Sequence, residues 1–442
     1  MIPIPPRSRL RSRARSGVAL LGAALLLALA ACSTGEDTGT PASAPAAGDT
    51  AAAPVPADLP NGLLVALAVL GKNDDGSPKP LPAQLGMVRR EGGDWSYRVL
   101  EDPDSNVFHK ALAFDPSVGE PGILTIGGTG ALVKLWRPDG SHEVLWSKDF
   151  GGRFSRMRDA EIGDLDGDGR LDVAIATHDQ GVVAILYQQE DGSWKVDEID
   201  QDTEKGFVHE IEIGDLDGDG ALEVYATPSE PNTADGSAQH GEVVRYIPSK
   251  GNERTVVADL GDRHAKEILV DDVDGDGTDE LYVAVEAVSG GMVEIRRYDA
   301  DTAPDAGVVI AEIDDTQNRF LTAGDVDGDG KKEIVAAAYK SGLWLLRPPA
   351  EGAAEGEWEM SQIDADSGGY EHAAILTDLD GDGTDELYVA SDTHDELRRY
   401  TWENGAWRQE LLLLHLDGLG RFTFNLMPAP LALMPAGAGD TP

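Results

Sequence analysis

The chain has 442 residues, of which 41% are hydrophobic and 26% are charged, a composition typical of a globular protein. Its 80 acidic residues far outnumber its 36 lysines and arginines, and the formal net charge of −44 argues against nucleic acid as a partner. The single cysteine, Cys32, excludes an internal disulfide.

The first 31 residues have the pattern of an export signal. Five arginines between Arg7 and Arg15 precede an apolar run from Val18 to Ala31, which is too short for a bilayer span of about 20 residues. The ending Leu-Ala-Ala-Cys resembles the bacterial lipobox, which implies cleavage before Cys32 and attachment of a lipid to it. We therefore expect an exported protein, anchored to the cell envelope through the lipid on Cys32. A signal peptide cleaved without lipidation is the alternative.

Residues 32–60 are rich in proline, alanine, glycine and threonine and have no apolar periodicity. This composition predicts a disordered tether between the anchor and the folded part.

Short apolar segments follow, and they predict strands. Residues 62–101 contain three (GLLVALAV, AQLGMVRRE and WSYRVLE), and the next unit begins HKALAFDPSVGEPGILTIGG. This unit has strands on both sides of Asp115, but the loop between them has few acids. We interpret this unit as a copy of the five repeats that follow it, without their acidic, metal-binding loop.

Five acidic loops follow at intervals of 51 to 57 residues, beginning at Asp164, Asp215, Asp272, Asp325 and Asp378. The spacing indicates one supersecondary unit copied five times. In each loop, carboxylates stand at positions 1, 3, 5 and 9, and a strand follows. An EF-hand is excluded, because position 12 is apolar and the flanking segments predict strands instead of helices.

This spacing of oxygen ligands suits calcium at about five sites better than magnesium, which requires rigid octahedral geometry. An acidic turn without metal is the alternative, and we expect the ions to have a structural role. The predicted ligands, with position 7 contributing its backbone carbonyl, are Asp164, Asp166, Asp168, Arg170 and Asp172; Asp215, Asp217, Asp219, Ala221 and Glu223; Asp272, Asp274, Asp276, Thr278 and Glu280; Asp325, Asp327, Asp329, Lys331 and Glu333; Asp378, Asp380, Asp382, Thr384 and Glu386.

Four short strands in each unit of about fifty residues predict an all-β fold built of propeller blades. The C-terminal GRFTFNLMPAPL is a lone strand, and together with the three strands of residues 62–101 it completes a seventh blade. We expect a seven-bladed β-propeller over residues 61–435, closed by strands from both termini, and a C-terminal tail at 436–442. Six or eight blades are the counting alternatives.

The loops, D-x-D-G-D-G-x-x-[DE] followed by an apolar strand, resemble the FG-GAP/VCBS repeats of bacterial surface proteins and the calcium-bearing blades of integrin α-subunits. The Phe-Gly and Gly-Ala-Pro signatures are missing, so the similarity is to the VCBS-like form. The resemblance implies the fold and the calcium. It leaves the function open, because related families include lectins, adhesion modules and polysaccharide lyases and dehydratases.

A basic residue stands six positions before the first aspartate of each loop, and this position predicts a cationic ring at the mouth of the central channel. The ring residues are His109, Arg158, His209, Lys266, Arg319, His372 and, by alignment of GRFTFNLM, Arg421. Loops after the second strands should reach the same face and bring with them His178, Asp179, His240, Glu286, Tyr339, Lys340, Asp392 and His394. The ring predicts either an anion-binding site or a structural brace that pairs with neighbouring acids.

The leading functional prediction is a ligand-binding module for a glycan or a protein partner. A polysaccharide-active enzyme of the lyase or dehydratase type and a scaffold within a surface assembly are the alternatives. No nucleophile motif, H-E-x-x-H zinc site or phosphate-binding loop is present, which favours binding over catalysis.

Overall fold

The computed structural model describes residues 56–436 except 129, 152–154, 179, 201–205, 229–237, 288–290, 351–355, 416 and 418. They lie in one compact unit, residues 52–442. The predicted signal peptide, Cys32, tether residues 32–55, Asp179 and tail residues 437–442 lie outside the described residues. Within the described residues, no helix has the length and apolar character needed to cross a bilayer.

The described residues form seven antiparallel sheets, as the sequence predicted. Their helical content is two short 3₁₀ turns, Pro248–Lys250 and Leu431–Leu433. The innermost strands of successive sheets contact one another in chain order, and the last of them contacts the first. The sheets are therefore the blades of a closed seven-bladed propeller.

Blade 1 combines both ends of the chain, and blade 2 is the repeat without an acidic loop. Blade 1 contains β1 (Asn61–Lys72), β2 (Pro78–Pro80), β3 (Ala83–Glu91), β4 (Asp94–Asp102) and the last strand, β29 (Gly420–Pro430). Blade 2 contains β5 (Phe108–Phe114), β6 (Gly122–Gly127), β7 (Ala131–Trp136) and β8 (His142–Lys148).

Blades 3 to 7 each have an acidic loop between their first two strands. Blade 3 contains β9 (Met157–Gly163), β10 (Asp172–Thr177), β11 (Val183–Gln188) and β12 (Trp194–Asp200). Blade 4 contains β13 (Ile211–Gly214), β14 (Glu223–Ala226), β15 (Gly241–Tyr246) and β16 (Thr255–Gly261). Blade 5 contains β17 (Ala265–Asp271), β18 (Glu280–Val285), β19 (Val293–Tyr298) and β20 (Val308–Ile313). Blade 6 contains β21 (Asn318–Gly324), β22 (Glu333–Ala338), β23 (Leu343–Arg347) and β24 (Glu359–Asp364). Blade 7 contains β25 (Ala374–Thr377), β26 (Glu386–Ser391), β27 (Glu396–Glu403) and β28 (Ala406–Leu414).

The second strand of each of these blades is the most deeply buried. Every residue of β10, β18, β22 and β26 is buried, because each face of the sheet packs against a neighbouring blade. This packing explains why these strands have apolar runs such as DVAIAT and EIVAAA. Most of the core consequently lies between blades.

Blade 1 closes the ring through the pairing of β1 with β29. The two strands are antiparallel from Asn61 opposite Pro430 to Leu70 opposite Gly420, with a register shift after Ala66. On its other edge, β1 pairs with β3. The predicted closure by both termini agrees with this pairing, while the short strand β2, which pairs with the end of β1, was not predicted.

Candidate metal loops and channel mouth

The five acidic loops share one hydrogen-bonded turn. In the first loop, the carboxylate of Asp164 accepts hydrogen bonds from the backbone N–H groups of Gly167 at 3.0 Å and Gly169 at 2.9 Å. These glycines have φ values of +77° and +85°, a region that residues with a Cβ rarely adopt. The glycines allow the backbone to curl around the first aspartate. The loops that begin at Asp272, Asp325 and Asp378 repeat both hydrogen bonds, and the Asp215 loop repeats the second one.

The turn brings carboxylates of each loop together. In every loop, one oxygen from each of three or four predicted ligands lies within 4.8 Å of the others. The groups are Asp164, Asp166 and Asp172; Asp215, Asp217 and Asp219; Asp272, Asp274, Asp276 and Glu280; Asp325, Asp327 and Glu333; Asp378, Asp380 and Glu386. These all-oxygen clusters fit a hard cation, and each could hold a metal ion.

An arginine on the third strand contacts the cluster in four of the loops. Arg297 lies 2.9 Å from Asp274 and 3.3 Å from Glu280, so it joins positions 3 and 9 of one loop. The others are Arg245 on Glu223, Arg347 on Asp327 and Glu333, and Arg399 on Asp380 and Glu386. Groups of this kind orient the carboxylates that contact a metal.

The residue at position 8 connects a loop to the preceding one. The carboxylate of Asp385 accepts a hydrogen bond from the backbone N–H of Asp325 at 2.8 Å, and Asp279 does the same for Asp215 at 2.7 Å. Lys332 similarly contacts Asp271, at the end of β17, at 2.5 Å. The loops of blades 4 to 7 therefore form a connected row along one rim of the propeller.

An ion pair across the central channel lies at the centre of a second site, at the end of the inner strands opposite the acidic loops. Glu371, just before β25 in blade 7, lies 2.7 Å from Arg319 of the adjacent blade 6 and 3.3 Å from Arg158 of blade 3. Blades 3 and 7 are not neighbours, so this ion pair spans the channel. Both arginines also lie against aromatic rings: Arg319 against Tyr370 at 5.4 Å and Arg158 against Phe424 at 5.2 Å. We call these five residues, Arg158, Arg319, Tyr370, Glu371 and Phe424, the channel mouth.

Three predicted ring histidines are buried in surroundings that disfavour their charged form. Burial, reinforced by the charge of Arg158, holds the pKa values of His109 and His209 well below the usual range. Burial also lowers the pKa of His372 to about 4. These histidines are neutral at pH 7, so the prediction of seven cations at the mouth was wrong for them.

The structure gives His372 a bracing role instead of a place in the mouth. Its φ is +50°, and it is fully buried between the hydroxyl of Ser367 at 2.8 Å and the carbonyl of Ala338 at 2.7 Å. The turn in the backbone leaves the preceding residue, Glu371, facing the arginines. Blade 7 therefore contributes an acid where the repeat pattern predicted a base.

Arg421 also lies away from the channel mouth. It pairs with Asp417 at 2.7 Å and lines a groove of about 800 Å³ between blades 1 and 7, beside Tyr97 and His415. Phe424 is the β29 residue that contacts Arg158, and it also packs edge-on against His109 at 4.6 Å. Alignment of β29 on its only basic residue was therefore wrong, because this strand begins earlier than the other inner strands.

Next to the mouth residues along the inner strands, the charge reverses. The amine of Lys110 lies 2.9 Å from Asp159 and also pairs with Glu161. Asp159 in turn accepts a hydrogen bond from the N–H of Ile211 in the next blade at 3.1 Å, and Glu267 accepts one from Leu321 at 3.0 Å. Asp159 and Glu267, which are neighbours of ring positions in the sequence, therefore connect blades through Lys110 and backbone amides.

Several residues from the loops after the second strands lie near this face. His178 stacks on Phe207 and lies 5.4 Å from His209, and Thr423 donates a backbone hydrogen bond to Asp392 at 3.3 Å. Burial, with a contribution from Glu371, raises the pKa of Asp392 to about 7. Tyr339, Lys340 and His394 line a nearby cavity. His240 lies instead 2.8 Å from Asp259 at the end of its own blade.

Comparison with known proteins agrees with this architecture. A family model described as FG-GAP-like repeat matches residues 164–226 and 272–336, which contain two acidic loops each with the strands that follow. The chain is a β-propeller with FG-GAP-like repeats. No curated protein sequence matches it.

The FG-GAP-like propeller is similar to several solved structures. An ancestral GH74 enzyme is 10% identical with a TM-score of 0.53, over 81% of this chain and 47% of that one. A putative 6-phosphogluconolactonase from Bacteroides fragilis is 12% identical with a TM-score of 0.49, over 84% and 98%. The periplasmic gluconolactonase of Pseudomonas aeruginosa is 16% identical with a TM-score of 0.45, over 81% and 99%. At 10% identity, the likeness to the GH74 enzyme concerns the fold alone.

Sequence reasoning missed two sets of residues in the FG-GAP-like propeller. The loop arginines had a signal, because the third strands read GEVVRY, VEIRRY, LWLLR and ELRRY, with a basic residue near the end of each. The aromatic residues Tyr370 and Phe424 had no signal, because they lie outside the repeated positions.

Proposed function

We propose that this chain is a lipid-anchored, calcium-stabilised propeller of the bacterial cell envelope that binds an anionic ligand, an acidic glycan, at the channel mouth. The observation that carries the proposal is the state of Arg319. This side chain is 5% exposed, and one of its nitrogens pairs with Glu371, while Nε and Nη1 have no hydrogen-bond partner among the described residues.

Unpartnered guanidinium donors are costly in a protein interior. The Nε of Arg158 is in the same situation, also beside Glu371. Two arginines that share one carboxylate have donors left for a second anion, and oxygen acceptors of a ligand would satisfy them. Because the whole chain has a net charge of −44, a local cationic site also directs an anion to one place.

Calcium is the ion we propose for the five loops. Each ion would be held by the aspartates at positions 1, 3 and 5, the carbonyl of position 7 and the acid at position 9. When bound, calcium supplies charge neutralisation and crosslinks the turn between the first two strands. The all-oxygen donor set and the convergence of the carboxylates support calcium.

The anchor rests on the sequence of the N-terminus. Cys32 follows a basic and apolar signal pattern, and the proposed tether would hold the propeller away from the membrane surface. Mass spectrometry of the protein from a bacterial host should find a lipid on Cys32. A Cys32→Ala variant should move from the membrane fraction to the soluble fraction, and an unmodified Cys32 would contradict the anchor.

Ligand binding is tested by calorimetric titration with polygalacturonate, using neutral dextran as the uncharged comparison. Arg319→Met should weaken polygalacturonate binding at least about tenfold, equivalent to about 1.4 kcal/mol. Arg408→Met is the matched control, because Arg408 lies on the outer strand β28 with its side chain 72% exposed. Glu371→Gln should tighten binding, because it removes the carboxylate that competes for both arginines.

Equal affinities of the Arg319→Met and Arg408→Met variants would contradict a site at the channel mouth. If no polyanionic glycan binds and Glu371→Gln changes nothing, the ion pair is a structural brace. The search for a ligand would then turn to protein partners.

A further inference from the structure

The channel mouth has two chemically different sides. Arg158 and Arg319 belong to blades 3 and 6, while Tyr370 and the β29 residues Phe422 and Phe424 belong to blades 7 and 1. Phe422 packs edge-on against Tyr370 with ring centroids 5.8 Å apart. We call the guanidinium groups the cationic side of the site and the aromatic rings, which lie against them, the aromatic side.

The cationic side already accommodates a carboxylate. Glu371 reaches Arg319 at 2.7 Å and Arg158 at 3.3 Å, distances suited to charge-assisted hydrogen bonds. Both arginines donate to the same oxygen, Oε2, so a carboxylate oxygen fits between the two guanidinium groups. The ligand group that would use the remaining donors is therefore best described as a carboxylate.

Tyr370 provides the aromatic side with an accessible ring. It is 54% exposed, although Arg319 and Phe422 hold its ring in place. A fixed aromatic ring with an open face suits the apolar C–H face of a sugar ring, and it loses little conformational entropy on binding.

A polar cavity lies beside the segment that contains Tyr370 and Glu371. It has a volume of about 240 Å³, and the backbone N–H of Gly369 meets the carbonyl of its lining residue Tyr339 at 3.4 Å. Its side chains offer hydroxyl, amine and imidazole groups suited to sugar hydroxyls. The side chains that provide these groups are Tyr339, Lys340, Ser367, Thr393 and His394, and the acid Asp366 also lines the cavity.

We propose that the ligand of the channel mouth is a chain of pyranose sugar acids, with one carboxylate bound by Arg158 and Arg319, its ring on Tyr370 and the adjoining sugar in the polar cavity. This proposal rests on the proposed function and specifies its substrate class. A simple anion would use only the cationic side, and a neutral sugar only the aromatic side and the cavity.

Three probes that separate the sugar rings from the negative charges test this assignment by calorimetry with the calcium-loaded full chain. Trigalacturonate has both the rings and the charges, its fully methyl-esterified form has the rings alone, and tricarballylate has three carboxylates without a ring. Trigalacturonate should bind at least about tenfold more tightly than either of the other two.

Variants separate the contributions of the two sides. Tyr370→Ala should weaken trigalacturonate binding about tenfold and leave tricarballylate binding unchanged. Lys340→Met should weaken trigalacturonate less, by a few-fold. Met360→Ala, which removes an exposed apolar side chain on the outer strand β24, is the control and should change neither. Thermal melts verify that each variant is folded.

The outcomes distinguish the two proposals. Equal binding of trigalacturonate and tricarballylate, with no effect of Tyr370→Ala, would overturn the assignment to sugar acids and leave an anion site. Absence of binding by all three probes in both wild type and Glu371→Gln would overturn the anion site itself.

Discussion

Replacing Asp385 by alanine should weaken the acidic loop of the neighbouring blade. Asp385 stands at position 8 of the Asp378 loop, and its carboxylate accepts the N–H of Asp325 at 2.8 Å. Its own N–H donates to the carbonyl of Asp325, also at 2.8 Å. Asp325 is the first proposed ligand of the preceding loop. The substitution therefore changes a metal site in which residue 385 is not itself a ligand.

The size of the effect follows from the lost acceptor. Leaving a partly buried N–H without a partner costs about 1–3 kcal/mol. If about 1.4 kcal/mol of that cost appears in the ion-bound state, the Asp325 loop loses about tenfold in calcium affinity. The half-buried Asp385 carboxylate, whose pKa is raised chiefly by burial, offsets part of this cost when it is removed.

Calorimetric titration of the chelator-treated chain with calcium measures this affinity. Wild type should bind about five calcium ions with high affinity, and Asp385→Ala should bind one fewer with that affinity. Asp279→Ala should produce the same change through the Asp215 loop, and the double variant should lose two. Asp305→Ala removes an equally acidic group from an exposed turn and should change nothing.

Unchanged stoichiometry and affinity in both variants would refute the connection between loops. A uniform weakening of all sites, matched by Asp305→Ala, would attribute the effect to net charge.

Three further outcomes are expected. Chelation of calcium should lower the unfolding temperature, because each bound ion adds about 2.7 kcal/mol to the free energy of unfolding when free calcium is 100 times its dissociation constant. In a calorimetric scan, added calcium but not magnesium should restore the unfolding temperature, and an unchanged transition would contradict structural calcium. Raising the pH from 5 to 8 should destabilise the propeller through Asp392. The pKa of Asp392 in the folded state, about 7, lies above its value in the unfolded state, so the folded state retains a proton that the unfolded state has released. In thermal melts, Asp392→Asn should reduce the fall of the unfolding temperature with pH, and an unchanged pH dependence would exclude Asp392 as its source. Truncation before Gly420 removes β29 and leaves one edge of β1 unpaired, so the shortened chain should aggregate or lose its cooperative unfolding transition. Truncation after Ala436 should have neither effect. A shortened chain without β29 that is monomeric and folds cooperatively would show that closure of the ring by β29 is dispensable.

The fold was largely predictable from the sequence because the repeats carry local signals. Strands such as DVAIAT lie between two neighbours, which makes them apolar throughout, and the glycines of DGDG permit the tight turn. The composite blade was also predictable, since three strands at one end and one at the other complete the four-strand pattern.

The channel mouth was only partly predictable because its residues depart from the repeat. His372 occupies the expected position, but a positive φ turns it into the core and leaves Glu371 between two arginines. The burial that makes His109 and His209 neutral comes from neighbouring blades. Contacts such as that between Arg158 and Glu371 join residues 213 positions apart, for which a single sequence offers no spacing to follow.

The composite blade determines when the molecule can become complete. The innermost strand of blade 1 is β29, Gly420–Pro430, so a segment made after blades 2 to 7 supplies the strand that pairs with β1, which is made before them. A nascent chain can form blades 2 to 7 one after another, but it remains an open arc until its final strand reaches β1. Under the proposed export, in which the chain would cross the membrane before it folds, this order would keep the ring from closing too early. A break in translation anywhere before residue 420 would yield an arc with an unpaired edge, which quality-control proteases could recognise.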